Sequence, residues 1–275
     1  MSEGARICTT PSSATATSDC RGQVLISGSY GGEYNAYHAA KWGLRGVILN
    51  DAGVGKNRAG IRGLDYLDTV QLAAAAADVN TCHIGDGDHM LAFGTISWVN
   101  VAAARLGCTP GEPVRRCAQR MCLGAPVNAQ MPAVGGGKRF VIGSAAGEPP
   151  VIGLDAAPML EPGDAGSIAI TGSHAALFRG KPDGLIGPDV RAIFFSDAGI
   201  GLDEAGISRL PTLDARGIPA GAASSDSAEI GDARSIYETG VMSRVNSAAA
   251  ALGARRGMDI KSFVASLLVR WRVGH

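Results

Sequence analysis

The chain lacks an excess of either charge. Its 25 Lys and Arg residues balance 25 Asp and Glu, and only 18% of its 275 residues are charged. Without a basic field to hold a nucleic-acid backbone or an anionic membrane, neither is expected as a partner. It also lacks any stretch of about 18 uninterrupted apolar residues, so no membrane-spanning helix is expected. Residues 1–20 are small and polar, with no basic segment leading into an apolar one. This composition points to a cytoplasmic protein, and residues 1–5 are expected to be disordered. Cysteine is missing from the second half altogether: Cys8, Cys20, Cys82, Cys108, Cys117 and Cys122 all precede residue 123. A disulfide framework confined to one half would be odd, and reduced thiols are expected. The spacing of Cys108, Cys117 and Cys122 contains no CxxC pair and gives little reason to expect zinc.

What is present is apolar content of 46%, ample for a core, and 39 glycines, about twice ordinary usage. Many tight turns are implied. The strongest feature is an internal repeat. Asn50-Asp51-Ala52-Gly53-Val54-Gly55 recurs as Ser196-Asp197-Ala198-Gly199-Ile200-Gly201, 146 positions on (197 − 51). At that spacing Ala59-Gly60-Ile61 meets Ala205-Gly206-Ile207, Leu67-Asp68 meets Leu213-Asp214, and Ile84-Gly85-Asp86 meets Ile230-Gly231-Asp232. Ser97, Val99 and Asn100 likewise meet Ser243, Val245 and Asn246. Upstream, Ser27-Gly28-Ser29 matches Thr171-Gly172-Ser173 two positions closer, which places an insertion within 178–188 of the second copy. Short β-rich runs at 23–27, 47–50 and 72–77, and at 167–171, 192–196 and 218–223, alternate with helical segments.

The expected fold is therefore α/β: an internally duplicated βαβ-type unit, with two pseudo-twofold-related halves and mostly parallel sheets covered by helices. The first copy spans 1–122 and the second 150–275. A Pro/Gly/Ala-rich linker occupies 123–149, with a short strand at 139–142. Asn100 and Asn246 are expected to cap helices.

Three constellations can carry chemistry. Ser29 and Tyr30, in Ser27-Gly28-Ser29-Tyr30-Gly31-Gly32, follow a strand and open a helix. Their backbone amides, with those around Ser173 in the second copy, are candidates for holding an anionic substrate, or else simply make a turn. Asp51 and Asp197 end predicted strands, where open α/β sheets place ligands. They can act as an acid/base pair, although Asp before Ala-Gly also forms turns, and a requirement of the fold explains their presence in both copies more economically. Cys82-His83-Ile84-Gly85-Asp86-Gly87-Asp88-His89 is the richest segment. His83, Asp86, Asp88 and His89 suit a divalent transition metal, and Cys82 is a candidate nucleophile, though His83 next to it would face the other way. The alternative is a polar turn. Gly53-Val54-Gly55-Lys56-Asn57 lacks the spacing of a phosphate loop.

Residues present in one copy only cannot be needed by a shared fold. Tyr30, Glu33, Lys56, His83, Asp88 and His89 are peculiar to the first copy. His174, Glu229, Arg234 and Glu238 are peculiar to the second. The resulting expectation is an enzyme with hydrolase- or lyase-type acid/base chemistry on a small polar, anionic molecule held between the copies. In it Asp51, Cys82, His83, Asp88, His89, His174 and Asp197 are catalytic, while Ser29, Tyr30, Ser173, Glu229 and Arg234 bind substrate. A two-lobed small-molecule binder without turnover is the alternative, and self-association into a homo-oligomer is a further option.

Overall fold

The computed structural model describes residues 6–181 and 186–273. The expected disorder of residues 1–5, part of the 178–188 insertion and the last two residues lie outside them. The chain forms two mostly parallel sheets with helices on both faces. The first contains, in spatial order, β1 (Ile7–Thr10), β2 (Val24–Tyr30), β3 (Gly46–Asn50), β4 (Ala73–Ala77) and β5 (Ile96–Val99). The second contains β6 (Arg139–Gly143), β7 (Val151–Leu154), β8 (Ile168–His174), β9 (Ala192–Ser196), β10 (Ala220–Ala223) and β11 (Met242–Val245). Only β5, β6 and β11, all edge strands, run antiparallel to their neighbours.

Alternation along each strand explains why apolar runs become buried sheets. In β2, Val24 and Ile26 pack with Met90, Val114 and Cys117 on one face. Leu25 packs with Ala36, Leu64 and Leu67 on the other. β4 is entirely alanine, and it likewise sends Ala73, Ala75 and Ala77 to the first cluster and Ala74 and Ala76 to the second. Asn100 and Asn246 cap helices as expected, each accepting a hydrogen bond from the amide three residues on. The same side-chain oxygens also accept from Ala74 and Ala220, tying those helices to β4 and β10.

Two expectations change. The strand at 139–142 does not stand alone in a linker, because β6 pairs with β7 and extends the second sheet. The thiols are not all reduced, since Cys8 and Cys20 form a disulfide. That bridge joins β1 to the turn before β2, and it removes the thiol argument for a reducing, cytoplasmic setting. No helix among the described residues is long and apolar enough to cross a membrane.

The two units meet where β3 and β9 end. Ala52, Gly53, Val54 and Gly55 all have positive φ, as do Ala198, Gly199, Ile200 and Gly201. Left-handed backbone at a β-branched residue is costly and persists only where surroundings impose it. Here each turn is held by its aspartate. Asp51 Oδ1 accepts from the amides of Gly53 and Val79, and Asp197 Oδ1 from those of Gly199 and Ser225. The turns then touch back to back. A Cβ on Gly53 would lie 3.0 Å from Gly199 Cα, and one on Gly199 would lie 2.9 Å from Gly53 Cα. Reciprocal backbone bonds cross the junction, from Lys56 N to Ser225 O at 2.8 Å and from Leu202 N to Val79 O at 2.9 Å. A small buried apolar cluster that includes Ala52, Val79, Ile84, Ala198 and Ile230 surrounds it.

This contact separates two costs of adding a methyl group. Gly217 has φ of 68° and open space around its Cβ position, so Gly217→Ala is expected to cost about 1 kcal/mol from backbone strain alone. Gly199→Ala has similar strain plus the 2.9 Å approach. It should cost clearly more, roughly 2–4 kcal/mol in urea denaturation. Equal losses would show that the junction yields freely.

Candidate functional site

Several expected site residues turn out to serve the fold. Ser29 Oγ accepts from Ser13 N at 2.9 Å, and Ser173 Oγ accepts from Ala157 N at 2.8 Å. The loop around Ser29 is not an open anion cradle. Gly31 N donates to Asn50 O and Ser29 N to Ser27 Oγ, while the backbone of Gly85 and Asp86 fills the space beside Gly28. Asp51 and Asp197 are spent on the junction turns, and burial pushes the Asp51 carboxyl above its ordinary range. Cys82 is fully buried between Asn50 and the carbonyl of Asp78, and burial pushes its thiol up to about 12. A protonated, inaccessible thiol is a poor nucleophile.

The expected metal set does not converge. Asp86 caps the helix Gly87–Phe93 by accepting from Asp88 N and His89 N. Asp88 instead pairs with Arg179 at 3.1 Å and accepts from the Thr9 hydroxyl. The His83 and His89 rings stack with centroids 3.8 Å apart, so their ring nitrogens do not face one centre. His83 Nε2 meets Asp203 Oδ2 at 2.9 Å, and His89 Nδ1 accepts from His83 N. No cluster of three ligand groups forms among these four.

What the fold does create is a pair of clefts flanking the junction, each walled by both units. The smaller, about 130 Å³, is lined by His83, Ile84 and Asp86 from the first unit and by Leu177, Asp203, Ala205 and Ser208 from the second. The chain after β8 fills most of it. Arg179 N donates to Gly85 O, and Leu177 O lies 2.8 Å from where a Cβ on Gly85 would be. The larger cleft, about 450 Å³, swaps the roles of the units. Ile230, Gly231, Asp232 and Arg234 come from the second, and Tyr30, Glu33, Ala59 and Arg62 from the first. Here the chain after β2 forms a helix, Glu33–Ala40, instead of an irregular strap, which leaves room. Gly135 to Phe140 runs along the outer edge of this cleft.

The larger cleft carries mixed charge. Arg62 is bonded to Glu229 at 2.7 Å, and Asn57 Nδ2 donates to the same carboxylate. Glu229 thus ties the units together and does not face a ligand. Arg139 pairs with Asp164 and holds that carboxyl below its ordinary range. Among the described residues Lys138 and Arg234 carry no ion pair, although the Arg234 guanidinium lies 4.6 Å from the Phe140 ring centre. Asp155 is buried and accepts from the amides of Lys138 and Ala233. The Tyr30 ring is nearly buried and its hydroxyl reaches Gly231. Burial, then the Asp155 charge, holds it well above the ordinary phenol range, so it stays protonated.

Of the expected site residues, only Tyr30 and Arg234 share this cleft. His174 does not line it. It sits at the end of β8, its Nδ1 accepting from Ala176 N, and burial and then Arg209 lower its pKa to about 3. Lys138 and Asp155 were missed because both fall outside the aligned functional segments, one in the glycine-rich stretch and the other just after β7. Glu33 was flagged only as peculiar to one copy.

No family model, curated protein or solved structure matches the chain. The site must be argued from its own geometry.

A depressed His174 has a consequence for stability. The unfolded chain takes up this proton near pH 6.5 while the folded chain resists it down to about 3. The folded state is therefore favoured fully above pH 6.5 and progressively less as pH falls towards 3. His174→Asn keeps an acceptor for Ala176 N and removes the titration. Urea denaturation between pH 7 and 4 should show a shallower loss of stability in the variant; parallel curves would rule out a neutral buried His174.

Proposed function

We propose that the protein binds a small polar molecule in the larger cleft between its two units. The observation that carries this reading is a cavity of about 450 Å³ lined by Lys138 and Arg234, which among the described residues carry no ion pair, together with Glu33 and Asp232. Charges of both signs favour a ligand that is itself zwitterionic, or that joins an anionic group to hydrogen-bond donors. The anionic group faces Lys138 and Arg234, and the Phe140 ring holds the Arg234 guanidinium in place.

We read the chain further as two copies of one βαβ-type unit, 1–122 and 150–275, related by a pseudo-twofold axis between Gly53 and Gly199. The reciprocal bonds of Lys56 with Ser225 and of Leu202 with Val79 support this, because each pair is the other displaced by 146 positions. The two clefts are then counterparts. Asn57 with Glu229 in one matches Asp203 with His83 in the other. Binding is favoured over hydrolysis because none of the expected catalytic groups, Asp51, Cys82, His83, Asp88, His89, His174 and Asp197, lines the larger cleft. Turnover there would draw on the titratable groups that line it, among them Tyr30, Glu33, Tyr34, Lys138, Asp155 and Asp232.

The test is a thermal-shift screen of amino acids, dicarboxylates, amides and small phosphates, followed by product analysis of each hit. A zwitterionic hit without product is expected, and Arg234→Ala should weaken it by about ten- to a hundredfold, the worth of one charge-assisted hydrogen bond. Stabilisation that survives both Arg234→Ala and Lys138→Ala would place the ligand elsewhere. A consumed hit would favour the enzyme.

A further inference from the structure

Away from both clefts, in the first unit, three polar side chains share one buried spot. Cys108 and Glu112 lie in the turn between the helices Val101–Arg105 and Val114–Met121, and Cys117 lies on the second of these helices. All three are buried, and one ligand atom from each lies within 4.8 Å of the others. The Cys117 thiol beside it holds Cys108 below the ordinary thiol range, while the same contact pushes Cys117 up.

The carboxylate is the telling member. Glu112 has one oxygen bonded to Thr109 N at 3.0 Å. The other, Oε2, is buried and lies 3.2 Å from Arg120 Nε and 3.8 Å from Arg116 Nε, yet among the described residues neither Oε2 nor Arg120 Nε has a hydrogen bond. A buried carboxylate oxygen without a hydrogen bond costs free energy that an ion can recover. The fold does not call for this group. The matching positions in the second unit are Ala254, Met258, Phe263 and Ser266 for Cys108, Glu112, Cys117 and Arg120. There the same pair of helices packs with Ala254 and Phe263 in its apolar core.

We infer that Cys108, Glu112 and Cys117 form a binding site for a zinc-class divalent ion, with a fourth position for a water or other small ligand. Two thiolates and a carboxylate are a borderline-soft donor set of the kind that zinc takes in tetrahedral geometry. Bonds of about 2.0–2.3 Å place tetrahedral ligand atoms about 3.3–3.8 Å apart, so the present spacing of up to 4.8 Å needs to close by about 1 Å. As the ion binds, the two thiols release their protons to solvent. Two thiolates and the carboxylate then leave one surplus negative charge over the divalent ion, which the Arg116 and Arg120 guanidinium groups beside the carboxylate offset from outside.

Cobalt(II) titration of the full, reduced chain tests this. One equivalent is expected, with a sulfur-to-cobalt charge-transfer band and the intense visible bands of a tetrahedral site, displaced by zinc. Cys108→Ala should abolish the band, and alanine already fills that place in the second unit. Cys122→Ala should leave it unchanged. Glu112→Gln should keep the band and weaken affinity about tenfold or more, which keeps the test decisive if the cysteine variant folds poorly. No stoichiometric cobalt in the reduced chain would overturn the site, as would a band indifferent to Cys108→Ala and Glu112→Gln. So would a Cys108–Cys117 disulfide formed in a protein whose reduced form takes no cobalt.

Discussion

Everything that could be a ligand site between the units depends on one contact, the close approach of Gly53 to Gly199. Two aspartate-held turns, each with four successive residues in left-handed conformation, meet where no side chain fits. Each Asp does its work with one carboxylate oxygen and two backbone amides. Such charge-assisted bonds are strong enough to hold strained backbone that Val54 and Ile200 would not choose for themselves. The reciprocal bonds of Lys56 and Leu202 then fix how one sheet is turned against the other. The two clefts are what remains on either side.

The clefts differ for a reason that lies outside the junction. Both units supply the same frame: a Gly-Asp helix start from one, and an Ala-Gly-Ile segment after the junction turn from the other. The difference arises after β2 and β8. In the first unit Tyr30 leads into the helix Glu33–Ala40, and the neighbouring space stays open. In the second, Leu177 to Arg179 folds back onto Gly85, with Arg179 pairing Asp88, and the cavity shrinks to about 130 Å³. A different path of the chain after β2 and β8 is enough to leave one cleft open and narrow the other.

Charge placement follows the same economy. Glu229 and His83, which look like functional groups in isolation, bridge the units through Asn57 and Arg62 and through Asp203. Lys138 and Arg234 are distinguished by what they do not touch among the described residues. The Cys108 cluster stands apart from this machinery altogether, on helices that in the second unit pack with apolar side chains.

Periodicity and repetition within the sequence determined the mixed α/β class, the central strands and the asparagine caps. These depend on local patterns, in which apolar runs of strand length and turn residues at fixed spacing have few structural outcomes. The edge strands β1, β5 and β11 were illegible because short, half-solvated strands lack a continuous apolar run. The Cys8–Cys20 bridge was missed because absence of cysteine from one half says nothing about proximity in the other. Only the tertiary structure decided the site. Asp86, Asp88, His83 and His89 crowd together in sequence, but a helix cap, an ion pair and a ring stack pull their ligand atoms apart. Tyr30, Lys138, Asp155 and Arg234 are scattered over some two hundred residues and meet in one cavity. Spacing along a chain governs what neighbours can do together only within an element; between elements, sheet order and the junction turns determine which side chains meet.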